Sequence, residues 1–204
     1  MSTTSLSNTP QAQDDLFTSE ITGLTDGNLK IVTLGVMTND LGGNARSLYS
    51  IDDATNSSQD LLAQDTARTE ALSTDYSANG AHIWITSDGR VGYDASTLNS
   101  NFRSQLLQLE PGRFLYDTFT YAIRLGNGTL SWATATVQIE GSNHPALIGD
   151  PTVHDVTEDV NISNNGNLTA SGTLAISDLD PGQASFQTGV TSAAGNLVPG
   201  IRAE

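Results

Sequence analysis

The side chains of this sequence best suited to chemistry are carboxylates. Asp178 and Asp180 alternate on a predicted turn, with Glu158 near the start of the same stretch. Alternate acids on a turn aim their oxygens at a common centre, and a hard cation such as Ca2+ takes roughly six to eight oxygens, some of them main-chain carbonyls. Asp14, Asp15, Asp26 and Asp40 form the corresponding set in the first part of the chain. The plain alternative for both sets is solvated turn acids. Asp52, Asp53, Asp60, Asp65 and Asp75 fall in a long polar stretch, where solvation is the default reading.

Other chemistries find few residues. Cysteine is absent, which removes thiol catalysis, disulfides and the commonest structural zinc sites. His82, His144 and His154 are spread along the chain without HExxH or comparable spacing. There is no GxSxG, P-loop or GxGxxG, and Gly126-Asn127-Gly128 reads as a turn. A carboxylate pair for glycoside hydrolysis could be assembled from many acids, and the sequence singles out none. Trp84, Trp132 and Tyr93 would make a sugar-stacking platform if they faced solvent, but each lies in a strand of a predicted hairpin, where core packing is expected. The expectation is a protein that is not an enzyme.

Charge narrows the partners. Eight basic residues stand against 23 acidic ones, a formal net charge of −15 over 204 residues. Such a chain is repelled by phosphate backbones and anionic lipid, so no nucleic acid and no membrane insertion are expected. Charged residues make up only 15% of the chain, and Ser, Thr, Asn, Gln and Gly take their place, the surface of an extracellular β-rich protein. No apolar run is long enough for a membrane span, and MSTTSLSNTPQAQDD lacks the basic and apolar regions of a signal peptide. The chain is therefore cytoplasmic, a fragment, or exported by a signal located elsewhere.

The elements that would position these residues are mostly strands. Residues 1–13 read as a disordered lead. A buried strand is predicted over Leu29–Val36, a turn cluster at 38–43 and a short strand over 45–51. Residues 52–80 form a polar excursion with a weakly signalled helix near 60–66. HIWIT (82–86) and RVGYDA (90–95) make a hairpin through Ser87-Asp88-Gly89. One helix is expected over Thr97–Leu109, capped by Ser96 and stopped by Pro111-Gly112. FTYAIRL (119–125) pairs with TLSWATATVQI (129–139), whose Ala133, Ala135, Val137 and Ile139 should face the core. A boundary between structural units is expected near 140–150.

The tail repeats fragments of the beginning. Gly27-Asn28-Leu29 is echoed by Gly166-Asn167-Leu168, and Asp40-Leu41 by Asp178-Leu179, in the same order at nearly one offset. Residues 150–197, with Glu158-Asp159-Val160, Leu168-Thr169-Ala170-Ser171-Gly172, Asp178-x-Asp180 and Gly182-Gln183-Ala184-x-Phe186, strongly resemble the opening half of a VCBS-type repeat, found in tandem in bacterial RTX adhesins. Residues 12–143 resemble the related cadherin-like modules, through Asp14-Asp15 with Phe17, Asn39-Asp40, Asp88-Gly89 followed by Val91-x-Tyr93, and Phe119-Thr120-Tyr121.

The resemblance implies an all-β protein: an Ig-like, cadherin-like β-sandwich with one short helix over 14–143, then an incomplete second β-sandwich repeat over 144–204. It implies calcium between modules, neighbouring repeats of the same parent chain as partners, and a place outside the bacterial cell, at its surface, after type I secretion. The function expected is that of an extender or junction module of a large calcium-dependent adhesin. The alternatives are a binding module for a glycan or protein, or half of a split domain holding an insert. Two departures stand out. The family's module junction reads Gly-Thr-Asn-Asp, whereas Gly141-Ser142-Asn143-His144 puts an imidazole where a calcium-ligating acid is expected. A VCBS repeat also continues through a Trp-Thr-Tyr strand that is missing here.

Overall fold

The computed structural model describes residues 11–53, 60–153 and 171–186. The chain divides into two compact units, residues 1–144 and 145–204. In the first unit two four-stranded sheets share one apolar core. One sheet has the order β1-β8-β7-β3, from Asp15–Phe17, Leu130–Glu140, Phe114–Arg124 and Ser47–Asp52. The other has the order β2-β6-β5-β4, from Ile31–Leu34, Val91–Asp94, His82–Ile85 and Asp75–Tyr76.

Alternation and turn chemistry explain the two hairpins. β7 and β8 pair over eleven residues, from Phe114↔Glu140 to Arg124↔Leu130. Their shared turn closes with Gly128 at φ 87°. The small inward residues Ala133 and Ala135 let Phe119 and Tyr121 of β7 fill the space between the sheets, where all four are buried with Val137 and Ile139. β5 and β6 are joined by a turn in which Thr86 and Arg90 bond and Gly89 takes φ 77°.

Long-range pairing adds what local pattern did not announce. β1 runs parallel to β8, Asp15 opposite Ala135, and residues 11–13, expected in the disordered lead, are held there too. Main-chain N–H groups of Gln11 and Ala12 donate to Ser131 Oγ, and Ala12 joins the core. Residues 1–10 of that lead lie outside the described residues.

The single helix expected over 97–109 is shorter and differently capped. Asp94 Oδ1 accepts from Ser96 N and holds Ala95–Thr97 as a 3₁₀ turn, Leu98 leaves helical geometry, and α2 spans only Ser100–Leu106. Its cap is Asn99, whose Oδ1 accepts from Phe102 N at 2.9 Å, not Ser96. Leu98, Phe102 and Leu106 still reach the core, as their spacing requires. A second helix, α1 over Ser19–Thr22, ends on Gly23 at φ 67°.

In the second unit the described residues form two short antiparallel ladders. β9 (Leu147–Ile148) pairs with β12 (Ile176–Ser177), and β10 (Thr152–Val153) with β11 (Gly172–Thr173). Leu147, Ile148, Leu174, Leu179 and Phe186 are exposed there.

Candidate functional site

Oxygen atoms converge on the hydroxyl of Tyr121. This buried residue on β7 reaches the point where β1 begins and the turn after β2 closes. Its Oη lies 2.8 Å from Gln13 O, 2.9 Å from Asp15 Oδ2, 2.9 Å from Val36 O and 3.1 Å from Asp40 Oδ1. A phenol has one proton, and none of those four atoms carries one while both carboxyls are ionised. One contact is therefore a hydrogen bond and the other three leave oxygen facing oxygen. The cluster is short of positive charge.

The neighbourhood relieves this only in part. Gln13 N donates to Asp40 Oδ1 at 2.7 Å, but Asp40 Oδ2 is buried and has no hydrogen-bond partner among the described residues. Arg46 donates to the carbonyls of Asp40 and Met37 at 2.7 and 2.6 Å, so its charge lies beside the cluster and pulls Asp40 down from the main-chain side. Burial, then the charges of Asp40 and Asp14, push Asp15 up to about 6 against the pull of its Tyr121 contact. Asp40 is raised as well, chiefly by burial. The Tyr121 phenol is raised by burial and by the acids around it.

A hard cation suits this donor set in kind: two carboxylates, one with an unpartnered buried oxygen, two carbonyls and a phenol. Among the described residues no group of three or more His, Cys, Asp or Glu gathers so as to hold a metal ion, so a cation here would depend on the carbonyl and phenol oxygens as well. Asp14 adjoins the cluster, with Oδ1 accepting from Thr134 N at 2.8 Å.

The other predicted ligands stand apart. Asp26 bonds through its N–H to Glu140 O, whereas Asp14 bonds at Thr134, six residues away on β8. At strand rise that is about 20 Å, so Asp26 belongs to a different end of the unit. Its Oδ1 accepts from Gly27 N and Ser142 Oγ, and its Oδ2 lies 3.2 Å from His144 Nε2. The histidine that replaces the expected acid thus faces a carboxylate whose Oδ1 is taken up by protein donors, while its buried Oδ2 makes no hydrogen bond among the described residues. In the second unit Asp178 Oδ1 accepts from Asp180 N at 2.9 Å, and Asp180 is buried. Glu158 lies outside the described residues.

Two groups of acids went unread in the sequence. Asp65, assigned to a solvated loop, lies along the free edge of β3. Its N–H donates to Tyr49 O and its Oδ2 accepts from Ile51 N at 2.7 Å. Burial, then Asp75 and Asp52, push it up to about 6. Asp75 arrives only because β4 pairs with β5, which no local signal announces. Asp117, fully buried on β7, accepts from Asn79 N, Asn79 Nδ2 and Thr118 N through Oδ1 and from Tyr93 Oη through Oδ2 at 2.7 Å. A lone acid in the otherwise apolar and threonine-rich run of β7 was its only sequence signal.

The aromatic residues divide. Tyr93 packs in the core as expected. Trp84 is buried as well, but on the other face of its sheet, over Gly92 and in a row with His82 and Tyr76. Trp132, also expected in the core, is 51% exposed, because it alternates outward from the alanines of β8. Among the described residues no helix is long and apolar enough to cross a membrane. No protein-family model matches the chain, and no curated protein matches it.

Proposed function

We propose that this chain is a structural module, an extender or junction segment of a large calcium-dependent bacterial surface adhesin of the RTX type, without catalysis. The observation that carries this reading is the strand arrangement of the first unit. Neighbours β2-β6-β5 and β3-β7-β8 correspond to the B-E-D and C-F-G groupings of immunoglobulin-type sandwiches, with β1 crossing to lie parallel to β8. Such a sandwich, followed in the same chain by a second β-containing unit, suits a load-carrying array whose partners are neighbouring repeats.

Calcium, on this reading, is held by Asp15 and Asp40 with the carbonyls of Gln13 and Val36, and Asp14 beside them. Its contribution is charge. It lowers the repulsion among oxygens that one phenolic proton leaves facing each other, and so pins residues 11–17 to the body of the unit. Extracellular calcium modules bind at roughly 10⁻⁴ to 10⁻³ M, a range suited to the outside of a cell. Calcium titration should raise the melting temperature and reduce the scattering radius, and Asp40→Asn should weaken both responses. No change in either quantity up to about 10 mM, well above that range, would sink the calcium reading.

Trp132 gives a second reading a foothold. Exposed on the outer face of its sheet, it offers a ring on which a sugar could stack, as a glycan-binding module would. Glycan binding that survives chelation and is lost in Trp132→Ala would favour that reading.

A further inference from the structure

The two sheets leave an open side where β1 and β2, each at the edge of its sheet, border a cleft of about 410 Å³. Its lining includes Phe17, Ile21, Val32, Leu34, Thr38 and Arg90, and among the described residues that line it Arg90 is the one that is charged. Ile21 on its rim is 74% exposed, and Ile31, the first residue of β2, 51%. This is a large apolar exposure for so short a stretch.

Among the described residues, no strand pairs with β2 on that side. Ala95 N donates to Lys30 O, which makes Lys30 and Ala95 a hydrogen-bonded pair. With Ile31 opposite Asp94 and Leu34 opposite Val91, Val32 and Leu34 also bond inward to β6. Ile31 and Thr33 then present N–H and C=O to the free edge. Arg90 Nη2 reaches Thr33 O at 3.3 Å, leaving the Thr33 N–H and both groups of Ile31. Such an edge is a template for an added strand unless it is covered.

Charge says what kind of strand fits. Lys30 and Arg90 bracket the edge, two of only eight basic residues in a chain of net charge −15. Of the acids nearby, Asp88 on the hairpin of Arg90 is bonded to Thr86, Asp94 opposite Ile31 is bonded to Ser96, and Glu20 precedes Ile21 in α1. A second copy is disfavoured. Two-fold pairing of β2 with itself about Val32 sets Lys30 of one copy opposite Leu34 of the other, beside the Arg90 that bonds that copy's Thr33 O.

We propose that the free edge of β2 and its cleft dock an extended strand of a partner protein, with apolar side chains at alternate positions and acidic residues at its ends. Main-chain hydrogen bonds would supply affinity and the cleft and its cations would supply register, the general logic of strand addition. The inference does not depend on calcium.

The probe is a synthetic peptide of alternating valine and threonine flanked by aspartate and glutamate, followed by amide NMR on the full chain. It should shift the amides of Ile31–Leu34 and Phe17. Its binding should weaken about tenfold or more between roughly 0.01 and 1 M salt, and the same peptide flanked by lysines should bind at least about tenfold more weakly. Thr33→Pro removes an outward N–H at a position where proline is tolerated, and should abolish binding without altering the melting temperature. Arg90→Gln leaves the backbone intact and should weaken the acidic peptide alone. No shifts at β2, equal binding of the two peptides, undiminished binding to both variants, or self-association of the chain through β2 would each overturn the proposal.

Discussion

Tyr121 and Asp117 answer the same problem, an acid placed inside a protein, in opposite ways. Asp117 has a donor for each oxygen, and its bonds tie β7 to Tyr93 of the facing sheet and to Asn79. Asp117→Ala would strand the Tyr93 hydroxyl and the Asn79 donors, at a cost of about 3 kcal/mol or more, read as a lower urea midpoint. Asp117→Asn, which keeps the acceptor, should cost less. Asp15 and Asp65 lack such provision and sit near 6. Their folded values lie above the unfolded one, so the stability they contribute is complete below about 4 and lost as pH rises through about 6. With calcium chelated, the melting temperature should therefore fall between pH 5 and pH 7. Asp65→Asn should flatten that slope. A flat profile in the parent chain would contradict the assigned environments.

At the scale of elements, the well-read pieces are those closed by local contacts. Both hairpins were legible because a glycine turn and period-two alternation lie within about twenty residues of each other. β1, α1 and β4 were not, because each is fixed by partners far along the chain, as when Asp15 pairs with Ala135. The helix shows a local competition lost. The apolar spacing was right, yet Asp94 bonded Ser96 first and moved the start to Asn99. Trp84 and Gly92 give a direct test of packing between elements. A methyl group at Gly92 would lie 2.1 Å from Trp84 Cε2, so the indole must move. Gly92→Ala should cost about 1–3 kcal/mol and shift tryptophan fluorescence to the red.

For the whole molecule, the core settles what can stand alone. Every residue of the buried apolar cluster falls between Ala12 and Ile139. A chain ending at residue 144 should thus keep its cooperative melt, with a midpoint within a few degrees of the full chain, checked by calorimetry.

The sequence by itself determined the β class, the hairpins, the inward face of β8 and the abundance of acids. These follow from alternation, turn residues and composition, which are properties of neighbours. Only the tertiary structure decided which acids meet. It drew Asp15 and Asp40 to one phenol, set Asp26 about 20 Å from Asp14 against His144, and carried Asp75 to Asp65. A carboxylate's chemistry depends on burial and on donors within about 3 Å, and pairings more than a hundred residues apart supply both.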